Sequence, residues 1–262
     1  MQVEILGIPV TFIKHEKALV MISERAKASK EKQPFFIITA NPEFLLYARE
    51  HEGFREAMLA ADLVLPDGVA LAQARYFLES RPKNFLQKLS LACVICLKTV
   101  KGDFHQDKVT GVALVKDLLQ DQALSVFLLG GREKVGEIVA QKYQRPFFEG
   151  PMRIKKATRE EHETILEKVK EVRPEVLLVS FGHFSQELWI HEHLRDLACQ
   201  VVIGVGSTFD ELAGRGYWSK QVPGVFEKAG LKWLWRLLHD RSHFIRVWKA
   251  VIVFPWVIAF GS

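Results

Sequence analysis

The sequence predicts an α/β protein: a Rossmann-like, mostly parallel sheet with helices on both faces, followed by a C-terminal amphipathic helical appendage. Three observations carry the prediction. Short apolar runs alternate with helix-like stretches from Val3 to Ala213. The runs are apolar throughout rather than every second residue, as in strands covered on both faces. Five of them end directly in polar or glycine-rich motifs, at the strand ends where an open parallel sheet gathers its ligands.

Taken in order, "VEIL" (3–6) reads as a strand leading to the helical stretch "KALVMISERAKAS". "FFIIT" precedes the helix-like "PEFLLYAREHEGFREAMLAA", and "LVLP" precedes "GVALAQARYFL". Residues 79–108 then break the rhythm. An extra amphipathic helix is expected there, packing on the sheet edge or facing a partner or membrane. "SVFLLGG" runs into "REKVGEIVAQKY", "EVLLVSFG" into "SQELWIHEHLRDL", and "QVVIGVG" into "FDELAG". Thr158 and Glu161 have the spacing of a capping box ahead of "ETILEKVKEV". The expected division is a core over 1–214, with 79–108 inserted, and an appendage over 215–262.

A chain of 262 residues with 48% hydrophobic and 26% charged residues can bury a large core and is not of disordered composition. The start, "MQVEILGIPVTFIKHEK", has no signal-peptide pattern. The longest uncharged apolar stretch, "AVIVFPWVIAF", falls short of the ~20 residues of a membrane span. Three cysteines make no disulfide framework and suit a reducing compartment. Cys93 and Cys96 have redox or zinc-ligand spacing but lie in an apolar run, with Cys199 the remaining thiol, and read as core packing. From Arg215 to Lys249 eight Lys/Arg face two acids, and five of the six tryptophans lie at or beyond Trp218. Two basic, Trp-rich amphipathic helices there suit an interfacial membrane anchor, with packing helices as the plainer alternative.

The motifs at the strand ends hold the candidate chemistry: "TANPE", "PDG", "GG", "GHFSQE" and "GSTFDE". Asp67 either caps the next helix or stands at a strand end as a general base. Thr39 and Asn41 have the same double reading ahead of Pro42, and Gly130–Gly131 could be plain turn residues. "GVGSTF" lacks the third glycine of a dinucleotide fingerprint, and neither a P-loop nor an Asp-x-Asp pair is present. Glu187, His191 and His193 offer metal ligands on paper, but only the first two share a helix face. No metal is expected.

Together "TANPEFL", "LPDGVAL", "VFLLGG", "SFGHFSQELW", "VIGVGSTFDELAG" and "GLKWLWRLL" resemble, in order and spacing, the bacterial WecG/TagA/CpsF glycosyltransferases from about Val3 to Arg246. The resemblance implies an inverting, metal-independent and cofactor-free transferase. It would move an N-acetylmannosamine-type sugar from UDP to undecaprenyl-diphosphate-linked N-acetylglucosamine, for cell-surface polysaccharide or teichoic acid synthesis. The place of action would be the inner face of the cytoplasmic membrane, with the protein peripheral to it. Asp67 would be the base, with Thr39 and Asn41 lining the site. Gln186, Glu187 and Asp210 would face the nucleotide-sugar pocket with Gly68, Gly130, Gly131 and Gly206, while Arg236 and Arg246 approach the diphosphates.

The chain departs from the family at several places. It has Phe184–Ser185 for Pro-Lys, Ala113 for an acid, Gln221-Val222-Pro223 for Arg-Ala-Pro, Lys232 for Glu and Asp240–Arg241 for Glu-Pro. A different hexose donor, a nicotinamide-dependent oxidoreductase and a non-catalytic binder of anionic membranes are the alternatives. No nucleic-acid partner is expected, and a homo-oligomer is left open.

Overall fold

The computed structural model describes residues 1–28, 33–104, 109–215 and 244–261, together with Gly224, Phe226 and Trp235. Its centre is a six-stranded, wholly parallel sheet in the order β4-β3-β8-β7-β5-β6. The strands are β3 (Phe35–Ala40), β4 (Leu63–Pro66), β5 (Val126–Gly130), β6 (Phe147–Phe148), β7 (Val176–Ser180) and β8 (Val201–Gly204). Every residue of β4, β5, β7 and β8 is buried, as unalternating apolar strands require.

The first strand does not join this sheet. β1 (Gln2–Ile5) pairs antiparallel with β2 (Ile8–Thr11), a strand that the sequence reading lacked. Leu6 and Gly7, at φ 52° and 79°, make the tight turn between them. Positive φ at both central residues gives a hairpin the twist of its strands.

The sheet separates two apolar clusters. One holds α1 (His15–Lys27), α6 (Gly111–Gln120), α7 (Val135–Tyr143) and α10 (Thr208–Leu212), through residues such as Ile22, Leu118, Val139 and Phe209. The other holds the hairpin with α2 (Pro42–Glu50), α3 (Glu52–Ala60), α4 (Val69–Ser80), α8 (Arg159–Val172) and α9 (Ser185–His193). Helix α8 starts in the expected capping box, with Thr158 and Glu161 each bonded to the other's backbone. The stretch read as one helix over 42–61 is two. His51 is extended (φ −132°), and the break lets Phe54 meet Phe44, Tyr47 and Phe184 at centroid distances of 5.5, 5.1 and 5.1 Å.

Residues 79–108 do contain an extra helix, α5 (Phe85–Lys101), but none of its residues is buried. It therefore does not pack as an ordinary core helix. Cys93 and Cys96 are exposed on it and only Cys199 is buried, which corrects the core-packing reading of the pair. In the tail, α11 (Phe244–Trp248) continues through a π turn at Lys249–Val253 into α12 (Phe254–Phe260). The π turn lies just ahead of Pro255, which has no N–H to offer the Val251 carbonyl. Phe254 is 1% exposed within the second cluster, and Arg49 Nη2 donates to the Gly261 carbonyl at 3.0 Å.

The β5–α7 junction has no spare room. A Cβ on Gly136 would stand 2.1 Å from the Gly130 carbonyl oxygen and 2.3 Å from Phe147 Cε2, whereas one on Gly53 would meet nothing within 4 Å. Gly136→Ala is expected to lose about 1–3 kcal/mol from overpacking, and Gly53→Ala in α3 to gain about 0.4–1 kcal/mol. Urea midpoints of the two variants against the parent check this. Equal midpoints would show that the junction yields.

Candidate functional site

The carboxyl ends of five strands stand side by side, and register keeps them level: Ala40 opposite Pro66, Ile38 opposite Gly204, Val179 opposite Gly204, and Gly130 opposite Ser180. The chain leaves β7 toward β8 but leaves β5 toward β6, on opposite sides. Divergent connections of this kind open a crevice between the two strands.

Asp67 is built onto the sheet edge. Its amide donates to the Ala40 carbonyl at 2.7 Å, which carries the β3–β4 ladder one residue past Pro66. β4 is an edge strand, where a proline costs no ladder bond on its outer side. Gly68 then turns the chain at φ 96°, a region closed to most side chains, and is itself the N-cap of α4. The cap position therefore falls on Gly68 and not on Asp67, whose half-buried side chain belongs to the rim.

Thr39 on β3 and Asn41 just past its end lie on the neighbouring strand's side. Asn41 Oδ1 accepts from the amides of Glu43 (2.9 Å) and Phe44 (3.4 Å), with Pro42 in the first turn, so the capping reading holds for this residue. Capping occupies its oxygen and leaves the amide nitrogen to donate. Helix α6 begins against the same place: a Cβ on Gly111 would be 3.2 Å from Thr39 Oγ1 and 3.8 Å from Thr208 Oγ1. The Val109 amide donates to the Pro66 carbonyl at 2.9 Å, tying the return from α5 to the rim.

Gln186 and Glu187 are not open to solvent; they are 2% and 0% exposed. Gln186 Nε2 donates to Glu187 Oε1 at 2.7 Å, and Gln186 Oε1 accepts from the Gly206 amide at 3.0 Å. Gly204 makes room for the pair, since a Cβ there would lie 2.6 Å from Glu187 Oε1. Ser180 Oγ donates to the Gly206 carbonyl at 2.8 Å and fixes the same turn. Among the described residues Glu187 Oε2 has no hydrogen-bond partner, and burial pushes the carboxyl up to about 7.

At the β5 side, Gly130 and Gly131 take φ 88° and 99°, and added Cβ atoms would strike the Ser180 carbonyl oxygen at 2.5 Å and the Gly136 amide at 2.6 Å. They are therefore more than generic turn residues. Arg132 follows, its Nη2 3.9 Å from where a Cβ of Gly182 would stand, and it acts on Asp210. Burial pushes the Asp210 carboxyl above its ordinary value, against backbone hydrogen bonding and the Arg132 charge. The sequence reading lacked Arg132. Its signal was present, a cation directly after the Gly-Gly turn.

It also lacked Glu43 and His183. Arg246 Nε lies 3.1 Å from Glu43 Oε2, and His183 Nε2 is 3.2 Å from the same oxygen. Burial alone pushes the Glu43 carboxyl up, but His183 and Arg246 outweigh it and hold the group below its ordinary value. The tail helix is thus pinned to the first turn of α2, two residues from Asn41. Arg246 reaches the rim on a carboxylate, while Arg236 lies outside the described residues. Phe184, in place of the family's Pro-Lys, sits at φ 63° and stacks on Tyr47 at 4.0 Å. That stack holds a conformation a bulky side chain rarely takes.

Glu187, His191 and His193 do not converge. His193 Nε2 is 3.1 Å from His162 Nδ1, which also accepts from Trp189 Nε1 at 2.9 Å. Among the described residues no three His, Cys, Asp or Glu side chains gather as a metal site, and no helix is long and apolar enough to cross a membrane.

The profile of the glycosyl transferase WecG/TagA/CpsF family matches the chain over residues 3–98 and 89–260. Proteins named N-acetylglucosaminyldiphosphoundecaprenol N-acetyl-beta-D-mannosaminyltransferase, from Staphylococcus aureus strains MRSA252, MW2 and NCTC 8325 / PS 47, are each 27% identical over 239 residues. The similarity covers 88% of this chain and 82% of each relative.

The raised Glu187 carboxyl makes stability depend on pH. The unfolded chain ionises this group near its ordinary 4.5, while the folded chain holds its proton to about 7. Folding therefore loses stability as pH rises from about 4.5 to about 7, and the full penalty persists above. Glu187→Gln keeps the shape and removes the charge. The variant is expected to match the parent near pH 4 and to exceed it at pH 8 by up to about 3 kcal/mol, since a tenfold change in proton affinity corresponds to about 1.4 kcal/mol. Denaturation at the two pH values measures the difference; a constant offset would place the charged form in a better-solvated site.

Proposed function

The chain belongs to the glycosyl transferase WecG/TagA/CpsF family, and from that premise we propose that it transfers, with inversion, an N-acetylmannosamine-type sugar from UDP to undecaprenyl-diphosphate-linked N-acetylglucosamine. The names of its relatives support the sugar and the lipid acceptor. The observation that carries the site assignment is Asp67, held at a strand end by the ladder bond to Ala40 and followed, not preceded, by the helix cap.

Asp67 takes the proton of the acceptor hydroxyl as that oxygen attacks the anomeric carbon of the donor. The new glycosidic C–O bond forms on the face opposite the one that breaks, and UDP departs with the bonding pair. Thr39 and Asn41 position the acceptor from the neighbouring strand. Leaving-group charge develops at the β5–β7 crevice, where the Gly131 turn and the Arg132 guanidinium lie; fixed donors and cations of this kind lower such a barrier most where water is excluded. Gln186, Glu187 and Asp210 shape the donor pocket beside them. Arg246, and Arg236 with it, approach the diphosphates once the tail exchanges Glu43 for substrate. The reaction runs without metal or cofactor, on the cytoplasmic face of the membrane. Residues 1–214 act as the catalytic core and 215–262 as a membrane-associating appendage.

Incubation with UDP-N-acetylmannosamine and a lipid-diphosphate-N-acetylglucosamine, read by mass spectrometry, tests the reaction. Asp67→Asn is expected to lower turnover by about 10²–10⁴-fold, the contribution of a positioned base, with the melting temperature and UDP affinity unchanged. A variant that melts early but keeps most of its turnover would make Asp67 structural. Turnover in excess EDTA is expected to equal turnover in Mg²⁺; a strict requirement for divalent metal overturns the metal-free mechanism.

A further inference from the structure

Helix α5 is inside out. Its half-buried stripe carries Lys88, Leu91, Ile95, Lys98 and Thr99. Ile95 packs on the main apolar cluster, but the stripe also makes polar contacts: Thr99 Oγ1 accepts from Gln73 Nε2 at 2.7 Å, Lys98 Nζ bonds Asp103 at 3.1 Å, and Lys88 Nζ donates to the Ala259 carbonyl. The exposed face is the apolar one: Phe85 64%, Leu86 73%, Leu89 54%, Leu97 64% and Val100 65%. A helix that only packed would show the reverse pattern. The tail adds to the same surface, for the Phe85 and Phe260 rings lie 6.2 Å apart, and Trp256 and Ile252 beside them are 65% and 48% exposed.

The geometry points to α5, flanked by α12, as a surface that inserts into the headgroup region of an anionic lipid bilayer. This rests on the lipid-linked acceptor proposed above but goes beyond it, by assigning the inserted segment as the contact. Charge decides for lipid over a second copy of this chain. Neither α5 nor residues 244–261 carry an acid, and Lys101 and Lys249 are exposed on them, while Lys98 and Arg246 are paired with Asp103 and Glu43. Two such faces would repel each other, while anionic headgroups complement both, and tryptophans suit the headgroup depth. The position serves catalysis as well. α4, on which α5 packs, starts directly after Asp67–Gly68, and the return from α5 bonds Pro66 through Val109. A bilayer on α5 thus lies along the elements that frame the candidate base.

The full-length chain is tested with vesicles of phosphatidylglycerol and phosphatidylethanolamine, and with neutral phosphatidylcholine vesicles. Leu86→Glu with Leu97→Glu alters two exposed positions. It is expected to leave the melting temperature unchanged and to weaken binding to the anionic vesicles at least about tenfold, since two leucine side chains no longer leave water and two carboxylates face the anionic headgroups. Transfer to the full lipid acceptor should fall in step, and transfer to a water-soluble short-chain analogue should not. In the unaltered chain, a polarity-sensitive maleimide on the exposed Cys93 and Cys96 should shift to the blue on anionic vesicles and be quenched by brominated lipid. Unchanged vesicle binding by the variant, or no shift of the probe, overturns the surface. A parent dimer that the double variant splits, with vesicle binding intact, assigns the face to a second copy instead. If the parent transfers sugar to neither acceptor yet binds vesicles through α5, the proposed activity fails and the surface stands.

Discussion

The site depends on one hydrogen bond, from the Asp67 amide to the Ala40 carbonyl. It extends the β3–β4 ladder past the proline and gives a carboxylate-bearing residue the rigidity of a strand before Gly68 turns the chain away. Everything else on the rim is referred to that level. Ala40 starts the turn that caps α2 through Asn41, and Pro66 receives the chain returning from α5. A parallel sheet suits this purpose because all its strands end on the same side, so catalytic groups from distant stretches of sequence share one edge.

The centre of the rim shows how polar groups are buried next to a site. Gln186 and Glu187 occupy space that only a glycine at 204 leaves free, and they satisfy one another and the Gly206 amide. One carboxylate oxygen is left over. Burial favours the protonated carboxyl over an uncompensated charge and pushes the group up to about 7. The loop before α9 joins the two halves of the rim: Gly182 lies against Arg132, and His183 against Glu43 and, through it, Arg246 of the tail. The strained Phe184 in that loop is held by its stack on Tyr47.

The tail and α5 form a region with a different balance of forces. Phe254 is sunk into the main core, so the end of the chain is anchored to the body of the protein. Around it Ile252, Trp256 and the apolar face of α5 are exposed, while Lys88 and Lys98 share the inner stripe of α5 with Leu91 and Ile95. Apolar side chains left in water cost stability there and would recover it at an interface, the physical ground for the proposed lipid contact.

The sequence by itself determined the parallel α/β class, because fully apolar strands separated by amphipathic helices have few other ways to bury themselves. It also determined the identity of the rim motifs, since "TANPE", "PDG" and "SQE" each follow a strand. What it left undecided were matters of direction and partnership. Local pattern could not tell whether Asp67 caps the next helix or ends the strand, because Asp suits both and only the backbone shows that the cap is Gly68. It could not separate "VEIL" from the sheet, because a strand's partner is a long-range choice. The periodicity of α5 looks the same whether its apolar face turns in or out, so only packing could show that Cys93 and Cys96 are exposed. Arg132 and His183 were single polar residues in loops and Glu43 one acid in the first turn of α2; their meaning arises from what the fold sets opposite them, and that information resides in no one segment of the chain.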